Sequence, residues 1–106
     1  MALQTSDDSN FEQSISQNPL VIVKYYADWC GSCKLFAPKY KRLSNDERFQ
    51  HITFLDVNAE TNPEARKLGG VNNLPTFAIF INGKLQATQS TSKEEVVIEL
   101  LKKLEA

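Results

Sequence analysis

Neither sign of charge dominates this chain of 106 residues: 12 Lys and Arg stand against 13 Asp and Glu, and no run of either sign forms. Such a balance offers nothing to draw the chain to nucleic acid or an anionic membrane, so both are excluded as expected partners. No apolar stretch approaches the ~20 residues of a membrane-spanning helix. The segment Met1 to Asp8 has neither the basic nor the apolar region of a secretory signal, and the expectation is a soluble, cytoplasmic chain. Without a glycine-rich nucleotide motif, no cofactor is expected. A single histidine, His51, and two cysteines, Cys30 and Cys33, fall short of the four ligands of a tetrahedral zinc site within one chain. At 42% apolar content the chain can fill one core and leaves no room for a second domain. A single domain over 1–106 is expected, and nothing in the pattern calls for an oligomer.

The two cysteines stand in Trp29-Cys30-Gly31-Ser32-Cys33-Lys34, shortly after the apolar run Leu20-Val21-Ile22-Val23, where a strand hands over to a helix. Residues three apart on a helix share a face, so the two sulfurs can bond and the pair can switch between dithiol and disulfide. At a helix start, free amide N–H groups and the positive end of the dipole favour the Cys30 thiolate, which makes Cys30 the natural nucleophile. Cys33, one turn further in and expected to be the more covered, is placed to attack a mixed disulfide on Cys30 and so resolve it. Two other uses of the pair compete. A structural staple would close a four-residue loop and remove little chain entropy. A metal or cluster would need a second copy of the chain to complete its ligands.

The rest of the chain alternates strand and helix patterns. Residues 2–5 suggest a short strand, and Ser6-Asp7-Asp8-Ser9 offers caps to a short helix through Phe11 and Ile15 that ends near Asn18-Pro19. Residues 20–26 read as a central strand covered on both faces. From Gly31 to about Asn45 the pattern is helical, with Leu35, Phe36, Tyr40 and Leu43 assigned to one face and Pro38 predicting a kink. Ile52 to Val57 is a second strong strand, and Pro63 to Leu68 a helix stopped by Gly69-Gly70. Strand, helix and strand again form a βαβ unit. Thr76 to Ile81 is a third strong strand, joined through Asn82-Gly83 to an antiparallel edge strand over 84–88. Ser92-Lys93-Glu94-Glu95 is a capping-box sequence, after which Val96, Val97, Leu100, Leu101 and Leu104 form the apolar stripe of a last helix.

Taken with Ala27-Asp28 before the cysteines, Ala37-Pro38, Leu74-Pro75-Thr76 and Phe80-Ile81-Asn82-Gly83, this pattern resembles the thioredoxin family from end to end. The resemblance implies an α/β thioredoxin fold, a mixed sheet of five or four strands flanked by four helices. It further implies a cis peptide before Pro75 that faces the cysteines. Trp29, Gly31, Leu74 and Pro75 would then form the apolar rim that receives a substrate cysteine, with Ser32 and Asn73 beside it. The backbone next to Pro75 would pair with the substrate chain. The implied activity is reduction of protein disulfides through Cys30 and Cys33, with recharging by an NADPH-dependent flavoenzyme thioredoxin reductase.

The chain departs from the family pattern in four respects. Gly31-Ser32 replaces the usual Gly-Pro between the cysteines, which loosens the turn and adds a hydroxyl able to bond a thiolate. Lys24 stands where the family buries an aspartate that takes the resolving thiol's proton, and Asp56 where many members have lysine. The pair therefore looks reversed, and Lys24 and Asp56 are expected to meet beneath Cys33. A neutral Lys24 could accept the proton of Cys33, and a charged one would favour its thiolate; the bland alternative is a lysine that reaches to solvent at a sheet edge. Asn72 and Asn73 make the rim more polar. The segment Gln89-Ser90-Thr91 reads as a short link before the last helix. Alternatives to a reductant are a thiol oxidant or isomerase with a raised potential and a redox-sensing adaptor without turnover.

Overall fold

A computed structural model of the chain describes residues 3–105. Met1, Ala2 and Ala106 lie outside the described residues, and with them the first residue of the strand expected over 2–5 and the ends of the expected domain. The elements are β1 (Leu3–Thr5), α1 (Phe11–Gln17), β2 (Leu20–Tyr26), α2 (Gly31–Ser44), β3 (Thr53–Asn58), α3 (Pro63–Leu68), β4 (Thr76–Ile81), β5 (Lys84–Ser90) and α4 (Glu94–Glu105), with one 3₁₀ turn at Glu47–Phe49. The sheet has five strands in the order β1-β3-β2-β4-β5. The first three run parallel, whereas β4 is antiparallel to β2 and β5 to β4. The parallel βαβ units are thus β1-α1-β2 and β2-α2-β3, while the strand reached through α3 runs the opposite way.

The β-branched and aromatic residues of β2 place it at the centre of the sheet, where its alternate side chains feed two cores. Ile22 joins Phe36, Tyr40, Phe54, Phe77, Val97 and Leu101 under α2 and α4. Val21, Val23 and Tyr25 join Phe11, Leu55, Val57 and Phe80 under α1 and α3. By the same alternation Lys24 points to the α2 side, a position that would otherwise hold an apolar residue. Asp56 is its direct partner in the register of β2 with β3.

Local chemistry differs from expectation at four places. At α1, Asn10 holds the cap position without a side-chain cap bond, and the Asp7 carbonyl takes the Phe11 N–H. Asp8 acts elsewhere: its carboxylate accepts the N–H groups of Glu64 (3.2 Å) and Ala65 (2.8 Å), so it caps α3 from more than fifty residues away. On α2, Leu35 is 78% exposed while Phe36, Tyr40 and Leu43 are buried. Leu35 sits about 100° around the helix from Phe36 and misses the face. Before α4, the Thr91 hydroxyl accepts the Lys93 N–H, and no side-chain bond from Ser92 occurs among the described residues. Strand β5 also runs on to Ser90, so Gln89 and Ser90 belong to the sheet and not to the link.

The β4–β5 turn matches its sequence. Asn82 (φ 51°) and Gly83 (φ 81°) both take the positive φ that a tight hairpin turn demands.

Candidate functional site

The site lies at the end of β2, where the central strand gives way to α2. Cys30 is the N-cap of α2, its sulfur 3.2 Å from the Cys33 N–H that donates to it. Cys30 and Cys33 are joined as a disulfide across a Cα–Cα distance of 5.2 Å. Their exposures are 4% and 2%, so Cys33 is the more covered of the two, as expected, by a small margin. Both pack against Ala27, with Tyr26 and Leu74 at the margin. The Ser32 hydroxyl stands 3.6 Å from the Cys30 sulfur, and since a disulfide sulfur carries no proton the hydroxyl is the donor.

Of the residues predicted for the rim, Leu74 packs against the cysteine pair. Trp29 is 67% exposed, and Gly31 faces open space, since a Cβ built there would meet no heavy atom within 4 Å. The Leu74–Pro75 peptide is cis. Pro75 is buried, and its carbonyl accepts the Thr91 N–H (3.2 Å) and a long bond from the Ser90 hydroxyl (3.4 Å). The Asn73 carbonyl accepts the Thr76 hydroxyl. The backbone left open beside Pro75 is therefore that of Leu74, whose N–H and C=O have no hydrogen bond to the described residues. The expected pairing with a substrate chain narrows to that one residue.

Behind the cysteines, the structure brings Lys24 and Asp56 together. The Lys24 ammonium is 3.3 Å from Asp56 Oδ1 and lies over the rings of Tyr40 (5.3 Å) and Tyr26 (5.6 Å). With the lysine side chain 3% exposed, its reaching to solvent is ruled out. Both residues line a cavity of about 290 Å³ that also touches Cys33, Asp28 and Lys34. Asp56 Oδ1 is buried and makes no aligned hydrogen bond, so its contact with Lys24 is ionic in character. Burial pushes the Asp56 carboxyl above its ordinary value, and Lys24 offsets only part of that rise. Burial likewise raises the Tyr40 phenol, which is held between the carbonyls of Ile22 and Leu55.

Comparison with known proteins settles the family. The thioredoxin family model matches residues 2–103. The chain belongs to the thioredoxin family. It is 37% identical over 84 residues to Thioredoxin-1 of Schizosaccharomyces pombe, covering 79% of this chain and 80% of the relative. It is 31% identical to Thioredoxin 1 of Plasmodium falciparum over 101 residues, 95% of either chain. Among solved structures, the complex of ferredoxin:thioredoxin reductase with thioredoxin f2 contains a chain that superposes with a TM-score of 0.89 at 27% identity, covering 99% of this chain and 96% of that one. With the thioredoxin fold and its paired cysteines, this chain is a thiol–disulfide oxidoreductase acting on protein disulfides.

Two groups near the site escaped the sequence reading. Tyr40 was assigned to the helix face, and its ring beneath Lys24 follows only from the packing of α2 on β2. Glu60 and Arg66 come from the β3–α3 link and α3, and share a groove with Trp29, Asn73 and Leu74. Their distance in sequence from the cysteines gave no signal.

Proposed function

We propose that this thioredoxin-family chain works as a reductant of protein disulfides, with Cys30 as nucleophile and Cys33 as resolving thiol. In the reduced state the Cys30 thiolate attacks one sulfur of a substrate disulfide. An S–S bond forms to Cys30, the substrate bond breaks, and the other substrate sulfur leaves as thiolate. The Cys33 thiolate then attacks Cys30, freeing the reduced substrate and closing the Cys30–Cys33 disulfide, so that two electrons pass to the substrate. The observation that carries the assignment of roles is Cys30 at the N-cap, where the amide of Cys33 and the helix dipole favour its thiolate. Trp29, Gly31, Ser32, Asn73, Leu74 and Pro75 receive the substrate, Leu74 through its open backbone.

Beneath Cys33, Lys24 acts as a charged group that favours the resolving thiolate, a role supported by its contact with Asp56 and two aromatic faces. Asp56, with its raised proton affinity, accepts the Cys33 proton through the shared cavity. The chain operates as a monomer in a reducing, cytoplasmic setting, which suits a cysteine pair used for redox work. Its dithiol is regenerated by an NADPH-dependent flavoenzyme thioredoxin reductase, and the complex of a structural neighbour with ferredoxin:thioredoxin reductase supports a reductase as partner.

Trapping tests the roles. Cys33→Ser should accumulate a mixed disulfide between Cys30 and a protein substrate, while Cys30→Ser should form none and lose turnover. Accumulation in the Cys30→Ser variant would reverse the assignment.

One observation favours a second reading, a thiol oxidant or isomerase. The Ser32 hydroxyl aimed at the Cys30 sulfur would stabilise a thiolate and so raise the potential.

A further inference from the structure

Apart from the cavity under Cys33, a separate groove of about 640 Å³ runs along the exposed side of Trp29 and Leu74, with Asn73, Glu60 and Arg66 in its walls. Its position beside the seat of the substrate cysteine makes it the path of the flanking substrate chain. Its character is polar where the cysteine seat is apolar, and the polarity is not evenly held.

Arg66 is the fixed element. It stands half-buried on α3, its Nε donates to the Val71 carbonyl (3.2 Å), and its own carbonyl accepts the Val71 N–H (3.3 Å). The guanidinium is thus anchored at one nitrogen while its two terminal nitrogens have no acceptor among the described residues. No carboxylate of the described residues lies within ion-pair distance of it. Glu60 lines the same groove but is exposed, its side chain free to turn to solvent. Asn73 adds to the lining a side-chain amide with no hydrogen-bond partner among the described residues.

An anchored guanidinium with free terminal nitrogens presents a planar fork that a carboxylate fits with two parallel bonds. Because its rotamer is already set, little entropy is lost when a partner binds. We propose that Arg66 is a specificity-determining residue that favours substrates with an acidic side chain close to the reacting cysteine. The inference rests on the oxidoreductase reading of Cys30 and deepens it by naming a substrate class.

The test uses three sets of disulfide-bonded peptides that differ only by Glu, Gln or Lys, placed in turn at the two positions on either side of the cysteine. Each peptide's kcat/KM is divided by that for neutral hydroxyethyl disulfide with the same variant. At one or more positions the wild type should favour Glu over Gln by about five-fold, mainly through KM, between the worth of an exposed ion pair and that of a buried charge-assisted bond. Lys should rank last. Arg66→Gln should erase the order, whereas Glu60→Gln should widen it. Equal rates for Glu and Gln at every position, or a preference that survives in Arg66→Gln, would overturn the proposal. Failure of the wild type to reduce hydroxyethyl disulfide at all would remove the oxidoreductase reading itself, and the proposal with it.

Discussion

Lys24 and Asp56 form a buried ion pair whose two members occupy unequal surroundings, the ammonium enclosed by two aromatic faces and the carboxylate on a cavity wall. The carboxyl of Asp56 is raised by burial, so the folded chain holds its proton more tightly than the unfolded chain does. Its contribution to stability is therefore full below the unfolded value of about 3.9 and is lost as pH rises through the raised folded value. Denaturant unfolding across this range should show wild-type stability falling relative to Asp56→Asn as pH rises. A flat or rising difference would contradict the burial argument. The pair should also couple: in a cycle of Lys24→Met and Asp56→Asn the two effects should deviate from additivity by about 1 kcal/mol, since loss of either partner leaves the other charge buried alone. This pairing was legible through the family resemblance, since Lys24 and Asp56 stand where its pattern has an aspartate and a lysine; the strand register that makes them direct partners came only with the fold. The placement of Leu35 was not, since its one-residue offset from Phe36 on α2 turns it to solvent and only the packed helix shows which face is covered.

At the scale of elements, long-range contacts set what local patterns could not. Helix α3 is only six residues long and its first N–H groups are met by Asp8, across the chain. Asp8→Ala should cost about 1 kcal/mol, the usual worth of a helix cap, readable as a lowered midpoint in urea. An unchanged midpoint would show that water serves the amides equally well. The other end of α3 is set by a close approach: a Cβ on Gly69 would fall 2.5 Å from the Tyr25 hydroxyl, which donates to Ala65 O. Gly69→Ala should destabilise by about 1–3 kcal/mol through forced repacking of that buried ring. The sequence marked Gly69-Gly70 as a helix stop, yet the tyrosine that requires a glycine at 69 lies on β2 and could not be paired with it by spacing. The Asn82-Gly83 turn, by contrast, is wholly local and was readable in full.

Across the whole molecule, the site draws on the end of β2, the start of α2, the loop before β4 and the facing residue of β3. The alternation of strand and helix, the central strand and the cysteine pair were plain in the sequence because each rests on short-range periodicity. The groove with Glu60 and Arg66 was not, because it exists only once α3 is folded against the loop before Pro75. The redox balance belongs to this scale as well. Ser32→Pro would remove the hydroxyl facing Cys30 and stiffen the turn, and should lower the potential by on the order of 10–30 mV, a shift measurable against glutathione. No shift would mean that the hydroxyl is a bystander.

The most direct test of the account is the equilibrium reduction potential of the Cys30–Cys33 pair, titrated in glutathione or dithiothreitol buffers with Trp29 fluorescence as readout. A reductant of protein disulfides should show one reversible two-electron transition between roughly −270 and −230 mV. A value at or above roughly −180 mV would make the chain an oxidant or isomerase, and one below roughly −300 mV would make the disulfide a structural bond.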